Sequence, residues 1–402
     1  MSTSTDGRRR SRLEPAGPFL VVGDLHNHTT LSDGRGDPEA AFRQMREAGL
    51  DVAALTDHAS IPRGRRNELG LHQYPDDEAL AAARMMPRSF DDDAWRRTGE
   101  LAERFDVPGV FTALRGFEWT EPWLGHVNVW FSDDWIDVDT PGSMAGLFAF
   151  LAEHEPKALF GYNHPGREGG RHEEFVLPPD PADLPARMVA LEAFNRADDY
   201  LFGLGGADSA LVACLDAGWR PGLVGCSDEH GSSFGLAGRG RTGIWVHEHS
   251  REGVREALTA RRTFATREVG LRLDATLDGV RMGGALSGDH PELAVDLAGS
   301  GYEGRPVELQ VLTSAAAVGG ASPEVAVLER IPAVVGEVAQ ARIQVPPDAG
   351  WVLVRVADPA RGYGRWAPAG HPASTWAVAY TSPWLAGYPS SAADSSSVSQ
   401  AS

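Results

Sequence analysis

The sequence predicts an α/β domain built on a parallel sheet or barrel, followed by a small antiparallel β-sandwich. Three observations lead there. Up to about residue 270, short apolar runs alternate with helical segments, among them FLVVGDLHNH, VAALTDH, FTALRGFEW, ALFGYNH, MVALEAFN and LVGCSDEH. Strands alternating with helices indicate parallel pairing. After residue 270 the pattern becomes period-two, in LRLDATL, ELAVDL, VELQVL, ARIQV, WVLVRV and WAVAYT, with Gly and Pro turns between. That spacing suits a sandwich. Finally, 402 residues exceed one ordinary core, so two domains are expected.

The elements follow in order. Residues 1–17 and the Ser-rich residues 390–402 read as disordered. The α/β domain spans 18–270 and the sandwich 271–389. Asp37 caps the first helix, Pro38 fits its first turn, and Gly49 follows its end. Residues 60–106 are polar and rich in Arg and Asp, with a helix expected around Trp95 to Arg104. This insertion stands where a lid would sit, or is a solvated excursion without a role. The sandwich is expected to cover the barrel's flank.

Bulk properties narrow the function. With 42% hydrophobic and 23% charged residues the chain reads as soluble and globular. A net charge of -19 argues against nucleic acid, whose phosphates require clustered Lys and Arg, and against anionic membrane surfaces. It does not exclude a small anionic substrate, because buried metal ions invert the local field. The two cysteines, Cys214 and Cys226, form no C-x-x-C pair. No apolar run approaches the roughly 18 residues of a membrane span, and the Arg-containing N-terminus has no apolar stretch after it. A cytoplasmic location is expected; the oligomeric state is open.

The chemistry lies in a set of histidines and carboxylates. His26 and His28 end the first apolar run, and their i, i+2 spacing turns both imidazoles to one side. Asp33 follows in the next turn. His58 ends VAALTDH, Glu118 ends FTALRGFE with His126 shortly after, His164 ends ALFGYNH, and Asp228 and His230 end LVGCSDEH. Ligand-capable residues thus close five different apolar runs, and the carboxyl ends of parallel strands share one mouth. His247 and His249 repeat the spacing without an acidic turn, and are expected to be a strand end meeting water. Six imidazoles and three carboxylates without a thiolate suit zinc, manganese or iron. Nine ligands are too many for one tetrahedral ion, so two or three divalent ions are expected.

The order of DLHNHTTLSDG, LTDH, GFEWT and GHVN, NHP and CSDEH resembles that of the PHP (polymerase and histidinol phosphatase) superfamily. GFEWT, GHVN, NHP and the sandwich-like tail are most similar to its branch of carbaryl-hydrolase-like (CehA/McbA) metallohydrolases. The resemblance covers about residues 19–270. It implies a distorted, TIM-like (β/α)7 barrel with a trinuclear site. His26, His28, Glu118 and Asp228 would hold one ion. Glu118 would bridge to a second, completed by His126 and His164, while Asp33, His58 and His230 would hold the third. Glu118, Asp228 and His230 would then be the catalytic residues.

Clustered cations lower the pKa of a bridging water and stabilise oxyanions. GLVGCSD lacks the G-x-S-x-G spacing of a nucleophile elbow. Direct hydrolysis by a metal-bridging hydroxide is therefore expected. The first substrate class is a small phosphoester, since Arg35, Arg167, Arg171, Arg239 and Arg241 lie in Gly-rich loops after ligand strands and arginine forks match phosphate. Arg239 and Arg241, after His230, are the better placed. The alternative is a carbamate, ester or amide, with Trp119, Trp123, Trp130 and Phe131 lining an apolar pocket. A third reading is a metal-binding domain without turnover. Asp24 and Asp57 could orient imidazoles from behind. His72 and His172 lie in polar loops, His154 near a helix C-terminus, and His290 and His371 at the surface of the sandwich.

Overall fold

Burial picks out the central strands: Val52–Leu55, Leu159–Tyr162 and Gly222–Cys226 are buried at every position, as in a sheet covered on both faces. The structure is a computed structural model and describes residues 9–60, 88–121, 124–138, 143–167, 173–202, 209–362 and 372–387. The α/β half contains strands β1 (Phe19–Asp24), β2 (Val52–Leu55), β3 (His58–Ala59), β4 (Thr112–Glu121), β5 (Gly125–Trp130), β6 (Leu159–Tyr162), β7 (Met188–Asn195), β8 (Asp198–Asp199), β9 (Gly222–Cys226), β10 (Arg241–Val246) and β11 (Thr263–Thr266). Helices α1 (Pro38–Glu47), α2 (Asp92–Phe105), α3 (Met144–Glu153), α4 (Ala210–Asp216) and α5 (Arg251–Thr259) lie between them.

Every one of these helices starts on a capping side chain. Asp37 accepts from the Ala40 N–H at 2.9 Å, and Asp91, Ser143, Ser209 and Ser250 do the same for the other four. Each cap stabilises its helix by about 1 kcal/mol. Gly49 follows α1 with a φ of 83°, where a side chain would be strained. His154 is the residue that closes α3.

Among the described residues the sheet does not close into the barrel expected from the sequence: it is mixed and open. Its order through this half is β8-β7-β6-β5-β4-β2-β1-β10-β11, with β9 beside β7. The pairs β1–β2, β2–β4, β6–β7 and β7–β9 are parallel. The pairs β4–β5, β5–β6, β1–β10 and β10–β11 are antiparallel. One reason is connection length. Only three residues separate Glu121 from Gly125, which suffices for a hairpin and falls far short of a parallel crossover. At the seam between β9 and β10, the Thr242 hydroxyl accepts from Gly225 N–H at 3.2 Å and donates to Gly225 C=O at 2.8 Å. A side chain thus takes the main-chain groups that a ladder would use.

The same sheet continues into the C-terminal half. That half comprises β12 (Leu271–Leu277), β13 (Val280–Arg281), β14 (Glu292–Gly299), β15 (Pro306–Ser314), β16 (Val325–Val334), β17 (Val338–Arg342), β18 (Trp351–Gly362), β19 (Thr375–Thr381) and β20 (Trp384–Leu385). Strand β11 pairs with β19, and β18, β15 and β16 follow. A second sheet, β13-β12-β14-β17, packs Leu273 and Val295 against Leu309, Val311 and Val354, with Trp245 and Phe264 of the α/β half in the same core. Residues 9–17, expected in a disordered N-terminus, instead dock on this sheet: Arg12 reaches the buried Asp296 at 2.6 Å.

The lid reading falls partly on residues 61–87, outside the described residues, as do His72, Trp123, Arg171, His172, His371 and 390–402. The described ends of that insertion meet at β3, where Ser60 N–H donates to Ser89 Oγ at 3.1 Å and Phe90 N–H to His58 C=O at 3.0 Å. Among the described residues no helix is long and apolar enough to cross a membrane.

Candidate metal centre

The chain leaves β1 at Asp24 still extended. Asn27 forms an isolated parallel bridge with Glu229, beyond the end of β9. His26 C=O accepts from Asp228 N–H, and His28 N–H donates to Glu229 C=O, both at 3.0 Å. These bonds set the ends of β1 and β9 side by side and face His26 and His28 toward Asp228 and His230. Asp24 assists by accepting from Ser227 N–H at 3.1 Å. It touches no imidazole ring, and burial raises its pKa to about 6.

Asp57 has a comparable framing role. Its carboxylate accepts from the N–H and hydroxyl of both Thr29 and Ser32, at 2.6–3.1 Å. That folds the TTLSD loop back, so that Asp33 Oδ1 lies 3.5 Å from both His58 Nε2 and His230 Nε2.

Glu118 stands at the centre. Its Oε1 is 3.3 Å from His26 Nε2 and His126 Nδ1 and 3.4 Å from His164 Nε2. Its Oε2 is 2.7 Å from His58 Nδ1 and 3.5 Å from His28 Nε2. Asp228 Oδ1 is 3.2 Å from His28 Nε2, 3.3 Å from His230 Nδ1 and 3.4 Å from His26 Nε2. The structure therefore brings all nine expected ligands into one cluster. Within it, three groups have mutually close donor atoms: His28, Asp33, His58 and His230; His26, His28 and Glu118; and Glu118, His126 and His164.

The donor set fits divalent ions. Bonds of 2.0–2.1 Å around a tetrahedral or octahedral ion separate neighbouring donors by about 2.9–3.4 Å, close to the spacings here. His126 Nδ1 is buried and makes no hydrogen bond, although it faces Glu118. A cation would give that nitrogen a partner.

The electrostatics divide the imidazoles. Burial works against charge on His26, but Glu118, Asp228 and Glu192 outweigh it and hold its pKa well above the usual value. Burial, with repulsion from His58 and His230, pushes His28 well below it. Burial opposes ionisation of Glu118, yet His26, His126 and His58 hold its carboxyl well below the ordinary range. Two ligands also sit on left-handed backbone, His164 at φ 28° and Asp228 at φ 46°. Such positions cost roughly 1–3 kcal/mol each and persist where the surroundings impose them.

Several supporting groups were not singled out from the sequence. Glu192, buried in β7, lies 2.8 Å from His26 Nδ1 and accepts from His164 N–H and Asn195 Nδ2 at 2.7 Å. An acid inside the apolar run MVALEAFN was its available signal. Asn163 donates to Glu118 Oε1 at 2.7 Å. Arg196 Nη2 lies 3.2 Å from Asp228 Oδ2 and 3.3 Å from His230 Nδ1. Nothing in a lone Arg after a strand marks it in advance.

The arginines named from the sequence separate. Arg167 donates to Asp228 Oδ2 at 2.6 Å, to Tyr200 Oη at 2.8 Å and to Asn195 Oδ1. Arg241 is buried and donates to Gly235 C=O at 2.6 Å, bracing the loop rather than the cluster. Arg35 meets His230 through its main-chain N–H. Among the described residues no hydrogen bond or ion pair is recorded between Arg239 and the cluster. Trp119 belongs to the hydrophobic core, and Trp130 donates to Leu25 C=O at 3.0 Å. Phe131 packs beside the Trp130 core. His247 is exposed as expected, but His249, expected to meet water beside it, is instead buried and pairs with Asp51 C=O at 3.1 Å, away from the cluster.

Residues 39–135 match a family described as Protein of unknown function (DUF3604). A curated relative, the 5'-3' exoribonuclease Rnm of Salmonella typhimurium, is 39% identical over 64 residues, 14% of this chain and 22% of that protein. The chain thus spans under a quarter of that relative's length. Solved structures with a likeness include a two-domain protein from Bacteroides vulgatus containing a predicted PHP-like metal-dependent phosphoesterase, at 17% identity and TM-score 0.45, covering 85% of this chain and 91% of that one. A putative metal-dependent phosphoesterase from Bifidobacterium adolescentis follows at 14% and 0.34, covering 59% and 95%. An amidohydrolase from Chromobacterium violaceum gives 15% and 0.29, covering 52% and 87%. These are distant likenesses, and the function rests on this chain's own side chains.

Proposed function

We propose that the chain is a metal-dependent hydrolase of a small phosphoester. One observation carries this reading: histidine nitrogens from separate strand ends converge at 2.7–3.5 Å on a shared carboxylate, Glu118. Divalent ions held there would activate water and neutralise charge on the electrophile.

The chain's own groups fit the remaining tasks. Most of the cluster is sealed, but the side chains of Asp33 and His230 are 32% and 29% exposed, and Arg196 is 43% exposed beside them. Substrate would enter on that edge. Arg196 offers its planar fork to phosphoryl oxygens, while Arg167, engaged by three acceptors, holds Asp228 in place. Glu118, Asp228 and His230 would then stand nearest the reacting atoms. Ser227 Oγ donates to Asn27 at 3.0 Å. Cys226 is buried and its thiol pushed well up by that burial. Neither presents a nucleophile at the mouth, which favours direct attack by water. Exoribonuclease activity belongs to the relative. A net charge of -19 favours a small substrate over a polynucleotide.

The carbamate alternative loses support among the described residues, because Trp119 and Trp130 are core rather than pocket lining. Protein loaded with manganese, zinc or iron should release phosphate from at least one small phosphomonoester. Removing the Arg196 charge in Arg196→Ala should raise KM by roughly 10- to 100-fold, the worth of a charged hydrogen bond. Turnover of aryl carbamates or esters alone, with no phosphate released, would sink this reading.

A further inference from the structure

The hairpin 195–200 carries three groups of the site, Asn195, Arg196 and Tyr200, on very little structure of its own. Strand β8 is two residues long and pairs only with β7. Arg196 has a φ of 54°, left-handed for a residue with a bulky side chain. Its main chain is pinned on both sides, N–H to Cys226 C=O at 3.0 Å and C=O from Gly240 N–H at 2.9 Å. A short hairpin in a strained conformation needs outside support.

That support comes from the C-terminal strands. Tyr380 of β19 donates its hydroxyl to the Asp199 carboxylate, with Oδ1 and Oδ2 at 3.0 and 2.9 Å. Arg355 of β18 donates to the Tyr380 oxygen at 3.0 Å and to Gln310 of β15 at 2.8 Å. Arg267 donates to Ala197 C=O at 2.6 Å and to Ala377 C=O at 2.8 Å, its guanidinium between the Phe194 and Trp376 rings. Gln310, Arg355 and Tyr380 are fully buried, and Asp199 is 5% exposed. From Asp199 the chain passes directly to Tyr200, whose hydroxyl holds Arg167, which holds Asp228.

Burying an Arg and an Asp between layers is costly, and apolar residues of similar volume usually stabilise as well or better. What such a strut supplies is a single geometry, because each member has one arrangement that satisfies its donors and acceptors. We propose that the C-terminal half is part of the site's machinery. Tyr380, Arg355 and Arg267 are positioning residues that hold hairpin 195–200, and through it Arg167 and Arg196, against Asp228. This rests on the reading of the cluster as a metal centre.

Tyr380→Phe tests it, since the ring keeps its place 5.1 Å from Phe194 and only the hydroxyl is lost. Val311→Ala, on the sandwich-core face of β15 opposite Gln310, serves as a second variant that lowers thermal stability without removing a member of the network. Hydrogen–deuterium exchange of the full chain should quicken roughly tenfold over residues 195–200 in Tyr380→Phe, the worth of one buried hydrogen bond. It should not do so in Val311→Ala at a matched loss of Tm. Manganese affinity should fall about tenfold in the first variant only, as for other groups behind a metal ligand. Unchanged exchange in Tyr380→Phe, or equal quickening in both variants, overturns the proposal. So does quickened exchange with manganese affinity intact. If the wild-type chain binds none of manganese, zinc and iron, the metal-centre reading falls, while exchange over the hairpin still decides the strut.

Discussion

His26 Nδ1 and Glu192 Oε1 lie 2.8 Å apart, with both residues buried. Burial opposes charge on Glu192, but His26 and His164 outweigh it, and its pKa lies below the ordinary value. An ionised carboxylate only accepts, so His26 Nδ1 carries a proton, and Nε2 is the nitrogen turned toward His28, Glu118 and Asp228. One buried carboxylate thus orients the ring of one candidate ligand just beyond β1 and fixes the main chain of another, His164.

Glu192→Gln keeps the shape but offers one acceptor oxygen where three donors converge. Metal affinity should drop by about 10- to 100-fold with secondary structure retained. Titration against a chromophoric chelator, beside circular dichroism, measures both; wild-type affinity in this variant would remove Glu192 from the arrangement.

Glu118 is shared by two of the three ligand groups. Glu118→Ala should release bound metal and lower turnover by at least about 100-fold. Elemental analysis and kinetics on one preparation check this. Full metal content with full activity would contradict the role given to Glu118.

Metal removal should also weaken the fold. Six histidines and three carboxylates brought together without cations repel within each kind, and ions that bind only the native state stabilise it by mass action. At free metal about 100-fold above Kd the gain is roughly 2.7 kcal/mol. A chelator should lower Tm and added manganese or zinc restore it; a Tm indifferent to both would argue against a metal centre.

Cys214 and Cys226 are free and buried, and burial raises both thiols well above their usual pKa. Native protein should react with a disulfide reagent at neither cysteine between pH 7 and 9, and at both in denaturant. Rapid labelling of the native chain would show that these thiols are accessible.

Glu268 gives a pH-dependent contribution. Burial opposes its charge, but hydrogen bonds from Tyr302, at 2.6 Å, and Arg361 lower its pKa below 4.5. A depressed folded-state pKa means stability present above the unfolded value and lost as pH falls through the folded one. The stability gap between wild type and Glu268→Gln should therefore be full near pH 6 and close below the ordinary Glu range. Urea unfolding across pH 3–7 reads this; a gap independent of pH would exclude it.

The nine clustered side chains and the strand-end pattern were legible in the sequence because each closes an apolar run or, like Asp33 and His126, follows one closely, and apolar periodicity is written residue by residue. The caps of α1 and the period-two strands after residue 270 were legible for the same local reason. Strand direction was not. Alternation of strand and helix suggested parallel pairing throughout, whereas the three-residue link to β5 and the antiparallel fit of β10 on β1 make the sheet mixed. Nor could the sequence show that Thr242 would close the β9 seam with its hydroxyl, that Glu192 would reach His26, or that Tyr380 would brace Asp199. Those contacts join residues 17, 166 and 181 positions apart. Local pattern therefore determined which side chains could ligate a metal. Only the packing of distant strands decided which groups orient them, which arginine faces the mouth, and what holds that mouth in shape.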